Sequence, residues 1–180
     1  MIKSKKKRPI QLEKIPVDLK SLILDLCSDD GIRREKSRHT LVQMGDNAID
    51  YLAGFITSSD SLLRWEVAKT LSEIATPSAS PVLVEALEDA LTSIRWIAGK
   101  GLIKMGKQGA IAALDALIEN PDSSFLMESV HHVLHDLQKK LPGQKLIREL
   151  MNVLENKQID GRIPVLSVDL RNELKYSKAQ

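Results

Sequence analysis

Apolar side chains recur every three or four positions along almost the whole of this 180-residue chain, and the pattern itself recurs. Leu19, Leu22, Ile23 and Leu26 stand at i, i+3, i+4 and i+7, the spacing of one buried stripe on a helix that Pro16 and Asp18 open and that is predicted to end near Ser28. Asp29, Asp30 and Gly31 turn the chain into a second helix over about 32–44, with Leu41 and Met44 inward and Gly45 as its C-terminal cap. A second pair is predicted over about 47–57 (Ile49, Leu52, Phe55, Ile56) and 61–75 (Leu63, Val67, Ala68, Leu71, Ile74), joined through Ser58, Ser59 and Asp60. Pro77 and Pro81 mark the start of the third pair, where a missing amide donor costs little. Val82, Leu83, Ala86 and Leu87 form its first stripe; Ile94, Ile97, Ala98, Leu102 and Met105 form its second, which Gly106 closes.

A fourth pair follows, with Ala110, Ile111, Leu114, Leu117 and Ile118 before the break at Asn120 and Pro121, then a helix from Phe125 to about Leu137. After Pro142 and Gly143 the regularity falls off. Residues 146–154 still read as helix, and 159–175 do so through Pro164, Leu166, Leu170 and Leu174. These segments repeat at about 31 residues: Arg64, Leu71 and Ile74 return as Arg95, Leu102 and Met105, while Ala48 and Leu52 return as Ala79 and Leu83 and again as Ala110 and Leu114. Units of this length cannot bury their own apolar face and must stack on their neighbours. The expected fold is therefore all-α, a right-handed α-α superhelix of four to five antiparallel helix pairs. A single solenoid is predicted over 16–176, with its best repeats at 29–137 and an atypical cap at 141–176.

Composition changes this picture little. An apolar fraction of 43% with only 3% aromatics suits closely stacked aliphatic helices. No apolar run approaches the length of a membrane span and no apolar stretch follows the N-terminal charges, so a cytoplasmic protein is expected. The single Cys27 sits on an apolar stripe and reads as a buried structural thiol. Charge is more informative. Five of the 26 basic residues are Lys3, Lys5, Lys6, Lys7 and Arg8; without them 21 basic residues face 24 acidic ones, so a basic arm, expected to be disordered over 1–15, precedes a mildly acidic body.

The residues around Asp60-Ser61-Leu62-Leu63-Arg64-Trp65-Glu66-Val67-Ala68-Lys69-Thr70-Leu71, Asp89 with Arg95-Trp96-Ile97-Ala98-Gly99-Lys100-Gly101-Leu102, and the weaker unit of Asp29 with Arg34 through Leu41 give the chain its resemblance to HEAT-repeat proteins. It resembles in particular the short prokaryotic repeats related to phycobilisome lyase subunits. The resemblance implies that Asp60, Arg64, Asp89 and Arg95 bond across neighbouring repeats. Met127 stands where the fourth unit should have its Arg, so the ladder is expected to break there.

Solenoids of this kind usually bind along the concave wall formed by their second helices, and a partner is expected on that concave face. Counting from the Arg of each second helix, +1 and +5 fall on an exposed flank, placing Trp65 over Lys69 and Trp96 over Lys100 in consecutive repeats. Trp65, Lys69, Trp96 and Lys100, with Arg64 and Arg95, are the predicted partner-binding residues, and the expected function is a non-enzymatic protein-interaction module or assembly scaffold. The other reading of the rings is that each packs on the next helix.

The resemblance implies one alternative, a chromophore lyase or chaperone subunit like those of the phycobilisome. Nucleic-acid binding is a second, but Glu35, Glu66 and Glu73 dilute the positive field near the rings. His131, His132 and His135 share a helix with Glu128 and Asp136, yet they form no zincin motif and are expected to be surface or partly buried histidines without a metal. Neither a nucleophile elbow nor a phosphate loop is present, so no catalytic residue and no cofactor is predicted.

Overall fold

The computed structural model describes residues 17–156 and 160–177; the basic arm lies outside the described residues, as does Ile159. Ten α-helices and no strand are found among the described residues. They are α1 (Val17–Asp25), α2 (Gly31–Met44), α3 (Asp46–Ala53), α4 (Ser61–Ile74), α5 (Ser80–Ala86), α6 (Thr92–Lys104), α7 (Lys107–Glu119), α8 (Ser124–Leu137), α9 (Gln144–Glu155) and α10 (Arg162–Tyr176). Consecutive helices pack as pairs, α1 on α2 through α9 on α10, and the second helices stack as a layer in which α2 meets α4, α4 meets α6 and α6 meets α8. The chain is an all-helical solenoid, as the period predicts.

The repeated apolar positions are its core. Ala48, Leu52, Ala79, Leu83, Ala110, Leu114, Leu71 and Leu102 are all fully buried. Gly45 and Gly106 close α2 and α6 with φ of 58° and 60°, a region open to glycine and strained for other residues. The corresponding junction after α4 is built differently, with Ala75 in the left-handed α region at φ 48° and ψ 38°, whereas Gly45 and Gly106 have ψ of -132° and -126°. α4 and α6 approach closely because Gly101 faces Ser72 and Leu83; a Cβ there would lie 2.9 Å from Ser72 Cα.

Several details differ from the sequence expectation. α1 stops at Asp25, three residues early, and α3 stops at Ala53, leaving Phe55 and Ile56 buried in the turn that follows. Cys27 is only half-buried, although burial still raises its thiol pKa, with the Asp60 charge adding to the effect. The last pair is crossed: α9 follows α8, and α10 turns back onto α7. Arg171 Nη1 donates to Asp115 on α7 at 3.0 Å, and Lys175 lies 3.6 Å from the same carboxylate.

Candidate functional site

Each of the first three second helices begins with an arginine that performs the same two tasks. Arg34, Arg64 and Arg95 donate Nη1 to the carbonyl six residues earlier, of Ser28 (2.6 Å), Ser58 (2.8 Å) and Asp89 (2.9 Å). This ties the helix start to the turn before it. The remaining guanidinium nitrogens reach a carboxylate of the next pair: Glu66 for Arg34 at 3.0 Å, Asp89 for Arg64 at 2.6 Å and Glu128 for Arg95 at 3.2 Å.

The predicted Asp–Arg ladder is thus present at Arg64–Asp89, while the rungs on either side use glutamate. Asp60 is occupied otherwise, accepting from the Leu62 amide at 2.9 Å as the N-cap of α4, and Asp30, rather than Asp29, does the same for α2. In the fourth unit Glu128, and not Asp122, receives Arg95, and Met127, standing where that unit would have its Arg, supplies no onward rung. Met127 itself is buried. Burial alone would raise the Asp89 carboxyl, but hydrogen bonds from Arg64 and the Leu91 amide, with the charges of Arg64 and Arg95, hold it below the usual carboxylate range.

These contacts place Arg64 and Arg95 inside the joints between repeats. Their side chains are 15% and 7% exposed, and the Arg95 guanidinium lies 4.3 Å from the centre of the Phe125 ring. Both guanidiniums are engaged in these rungs and turn contacts.

The two tryptophans, equivalent in the repeat, differ in the structure. Trp65 is half-buried and packs against the core, and Lys69 below it pairs with Glu73 at 3.3 Å. Trp96 is 52% exposed. One face of its indole stacks on His132 of α8, ring centres 4.0 Å apart and 20° from parallel, and Lys100 Nζ lies 5.0 Å from its centre while bonding Asp136 at 2.8 Å. Gly99 admits the imidazole, since a Cβ at that position would lie 3.1 Å from His132 Cδ2. Burial lowers the His132 pKa, which keeps this ring neutral at pH 7.

Counted from Met127, His132 stands at the +5 position of its helix, as Lys69 and Lys100 do of theirs, yet its part in the Trp96 site was not expected from the sequence. That shared position was the available signal, since the +5 residue of one second helix lies beside the +1 residue of its neighbour. The other histidines point elsewhere: His131 Nε2 is 3.3 Å from Glu155 on α9 and His135 Nδ1 is 3.4 Å from Asp136. Among the described residues no group of three or more His, Cys, Asp or Glu side chains is arranged to hold a metal ion.

A base stacking on Trp96 would meet a face already covered by His132, and both nearby lysines are paired with the protein's own carboxylates. This is poor provision for nucleic acid. What the arrangement offers is a fixed, half-exposed indole edge over two packed helices, with an ammonium beside it.

The sequence matches the HEAT-repeat family over residues 19–95 and again over 56–135, and the chain belongs to that family. It is 23% identical over 128 residues to a ribosomal RNA small subunit methyltransferase G of Shewanella denitrificans; the match takes in 71% of this chain and 56% of that protein, little more than half its length. Among solved structures it is similar in fold to the complex of CpcE and CpcF of phycocyanin lyase from Nostoc sp., with a TM-score of 0.58 at 21% identity over 85% of this chain and 97% of that one. The likeness is one of fold, a stack of helical repeats. No helix among the described residues is long and apolar enough to cross a membrane.

Proposed function

We propose that the chain is a protein-interaction scaffold whose partner docks on the outer face of the second-helix layer at Trp96 and Lys100, with Trp65 and Lys69 flanking. The observation that carries this reading is the 52% exposure of a tryptophan whose position is already fixed by His132 and by the Lys100–Asp136 pair. An aromatic held in place before binding loses little conformational freedom on association, which is what makes such residues effective anchors. Arg64 and Arg95 serve the site indirectly, by fixing the angle between adjacent repeats. The structural neighbour is itself a complex of two chains, which is in keeping with a partner protein here.

The test is capture from the native cell with the wild-type chain, Trp96→Ala and Trp65→Ala, alongside thermal unfolding of each. Trp96→Ala removes an exposed ring and one stacking contact, so it costs about 1 kcal/mol of stability yet at least about 2 kcal/mol of binding, about a thirty-fold loss. Trp65→Ala costs about 3 kcal/mol of stability because that ring packs on the core. Undiminished capture by a folded Trp96→Ala chain overturns the proposal. Visible absorbance that co-purifies with the captured chain instead points to a chromophore-handling subunit.

A further inference from the structure

Of the two rings stacked at the Trp96 site, one can change its charge. The edge of the His132 ring that carries Cδ2 and Nε2 lies against Gly99 of α6, where a Cβ would be 3.1 Å from Cδ2 and 3.8 Å from Nε2. Nε2 is buried and meets no hydrogen-bond partner among the described residues. A neutral imidazole has one N–H and can leave Nε2 bare, whereas an imidazolium has two, and the second would be a charged donor with no acceptor in reach. The stack does not make up for this. An aromatic face attracts a cation, but the Lys100 ammonium already lies 5.0 Å from the centre of the Trp96 ring, and a protonated His132 would set a second positive charge beside it.

The surrounding charges give a protonated ring little relief. Those that act on it are Lys100 of α6 and Asp136, His135 and His131 of its own helix, with none from α7 or α9. Burial weighs most against the charged form; Asp136 opposes it, while Lys100, His135 and His131 side with burial. Asp136 is also shared, accepting from Lys100 at 2.8 Å and lying 3.4 Å from His135 Nδ1. Glu155, the acid that α9 brings to this helix, lies 3.3 Å from His131 Nε2, and Glu128 is paired with Arg95 of α6.

We propose that His132 makes the Trp96 anchor pH-gated: at neutral pH the imidazole holds the indole in place, and on acidification it takes up a proton by leaving the stack, which frees the indole and weakens docking. The effect on docking rests on the function proposed above; the gate itself belongs to the free chain. Its size follows from linkage. Contact between two stacked rings favours the closed form about ten-fold. With the closed ring neutral and the open ring titrating at the ordinary 6.5, acidification to pH 5 favours the open form about thirty-fold. The closed fraction then falls from about nine-tenths at pH 7.5 to about one-quarter at pH 5, and the apparent affinity for a partner falls with it, about four-fold.

The gate is tested without a partner, by acrylamide quenching of Trp96 in the Trp65→Phe chain and by proton NMR of the His132 ring, at pH 7.5 and at pH 5 where circular dichroism shows the helices intact. Quenching should rise reversibly on acidification, and the His132 C–H resonances should titrate below 6.5 while losing the ring-current shift that the indole imposes on them. In the same background His132→Phe, which can stack but not titrate, should stay shielded at both pH values, and His132→Gln, which can do neither, should be open at both. Capture by the wild-type chain should lose about four-fold more than capture by His132→Phe between the two pH values; equal losses overturn the regulation of docking. Quenching that is the same at both pH values overturns the gate. So does a His132 ring that titrates at or above 6.5 with its ring-current shift kept, since the stack then accepts the proton. A response that survives in His132→Phe and vanishes when His131 and His135 are replaced with Gln overturns it too. Failure of the docking site itself is read separately, as undiminished capture of Trp96→Ala at pH 7.5.

Discussion

Replacing Arg64 with alanine removes the best-formed rung of the ladder. Arg64 donates to both oxygens of Asp89, at 2.6 and 3.2 Å, and to the Ser58 carbonyl at 2.8 Å, and the Asp89 side chain is only 6% exposed. Without the guanidinium, a nearly buried carboxylate keeps the Leu91 amide at 2.8 Å and the more distant charge of Arg95. Removing one partner of a buried ion pair usually costs about 3–5 kcal/mol, since the other charge stays desolvated. Here the surviving contacts set the expected loss near the lower end, about 3 kcal/mol, or about 6–12 °C in Tm for a chain of this size.

The pH dependence separates this cause from lost packing. In the wild type the Asp89 pKa is held below its ordinary 3.8, so its contribution is full above that value and lost as pH falls through the lower, folded value. In Arg64→Ala burial prevails and the pKa rises, so ionised Asp89 destabilises the fold at neutral pH. The difference between wild type and variant is therefore largest at pH 7 and closes as pH falls below about 4. Denaturant unfolding at pH 7 and pH 3 measures it, and adding Asp89→Asn to Arg64→Ala should restore at least about 1 kcal/mol. A loss under about 1 kcal/mol at pH 7, or the same loss at both pH values, would refute the reasoning.

Three further outcomes follow from local geometry. Ala75→Gly, at φ 48° and ψ 38°, should stabilise the chain by about 0.5–1 kcal/mol in thermal unfolding, because the left-handed α conformation costs a residue with a Cβ more than it costs glycine. Gly101→Ala should destabilise by about 1–3 kcal/mol despite its better helix propensity, since the new Cβ would lie 2.9 Å from Ser72 Cα and force α4 and α6 apart. The burial that depresses the His132 pKa makes stability complete above about pH 6.5 and declining as pH falls below it, until the folded-state value is passed; His132→Gln should flatten the fall in Tm between pH 7.5 and 5.5.

Much of the fold is legible in the sequence because a solenoid is specified locally. The 31-residue recurrence of Ala48 and Leu52 marks the first helix of each pair, and Gly45 and Gly106 mark where second helices end, since few other residues accept those backbone angles. The crossed last pair is not legible in this way: the i, i+4, i+8 spacing of Leu166, Leu170 and Leu174 says which face of α10 is buried but not that α7 covers it. That choice rests on contacts such as Arg171–Asp115, 56 residues apart.

The rungs of the ladder were half legible. The arginines stand in register, but the acid each one meets is not set by the repeat: Asp60 accepts the Leu62 amide, whereas Asp89 accepts the Leu91 amide and Arg64 together. At the candidate site the repeat made Trp65 and Trp96 equivalent, and the structure does not. Trp96 is set apart by what faces it from α8, His132 and Asp136, in a repeat where the pattern of the earlier second helices has already changed.

Tryptophan fluorescence excited at the red edge of the tyrosine band tests the central claim most directly, using the Trp65→Phe chain so that Trp96 is its only tryptophan, with the emission of the partner alone subtracted. The account predicts that partner binding shields the half-exposed indole, reducing acrylamide quenching several-fold and shifting emission to the blue. A complex that forms fully while the quenching of Trp96 stays unchanged would contradict it.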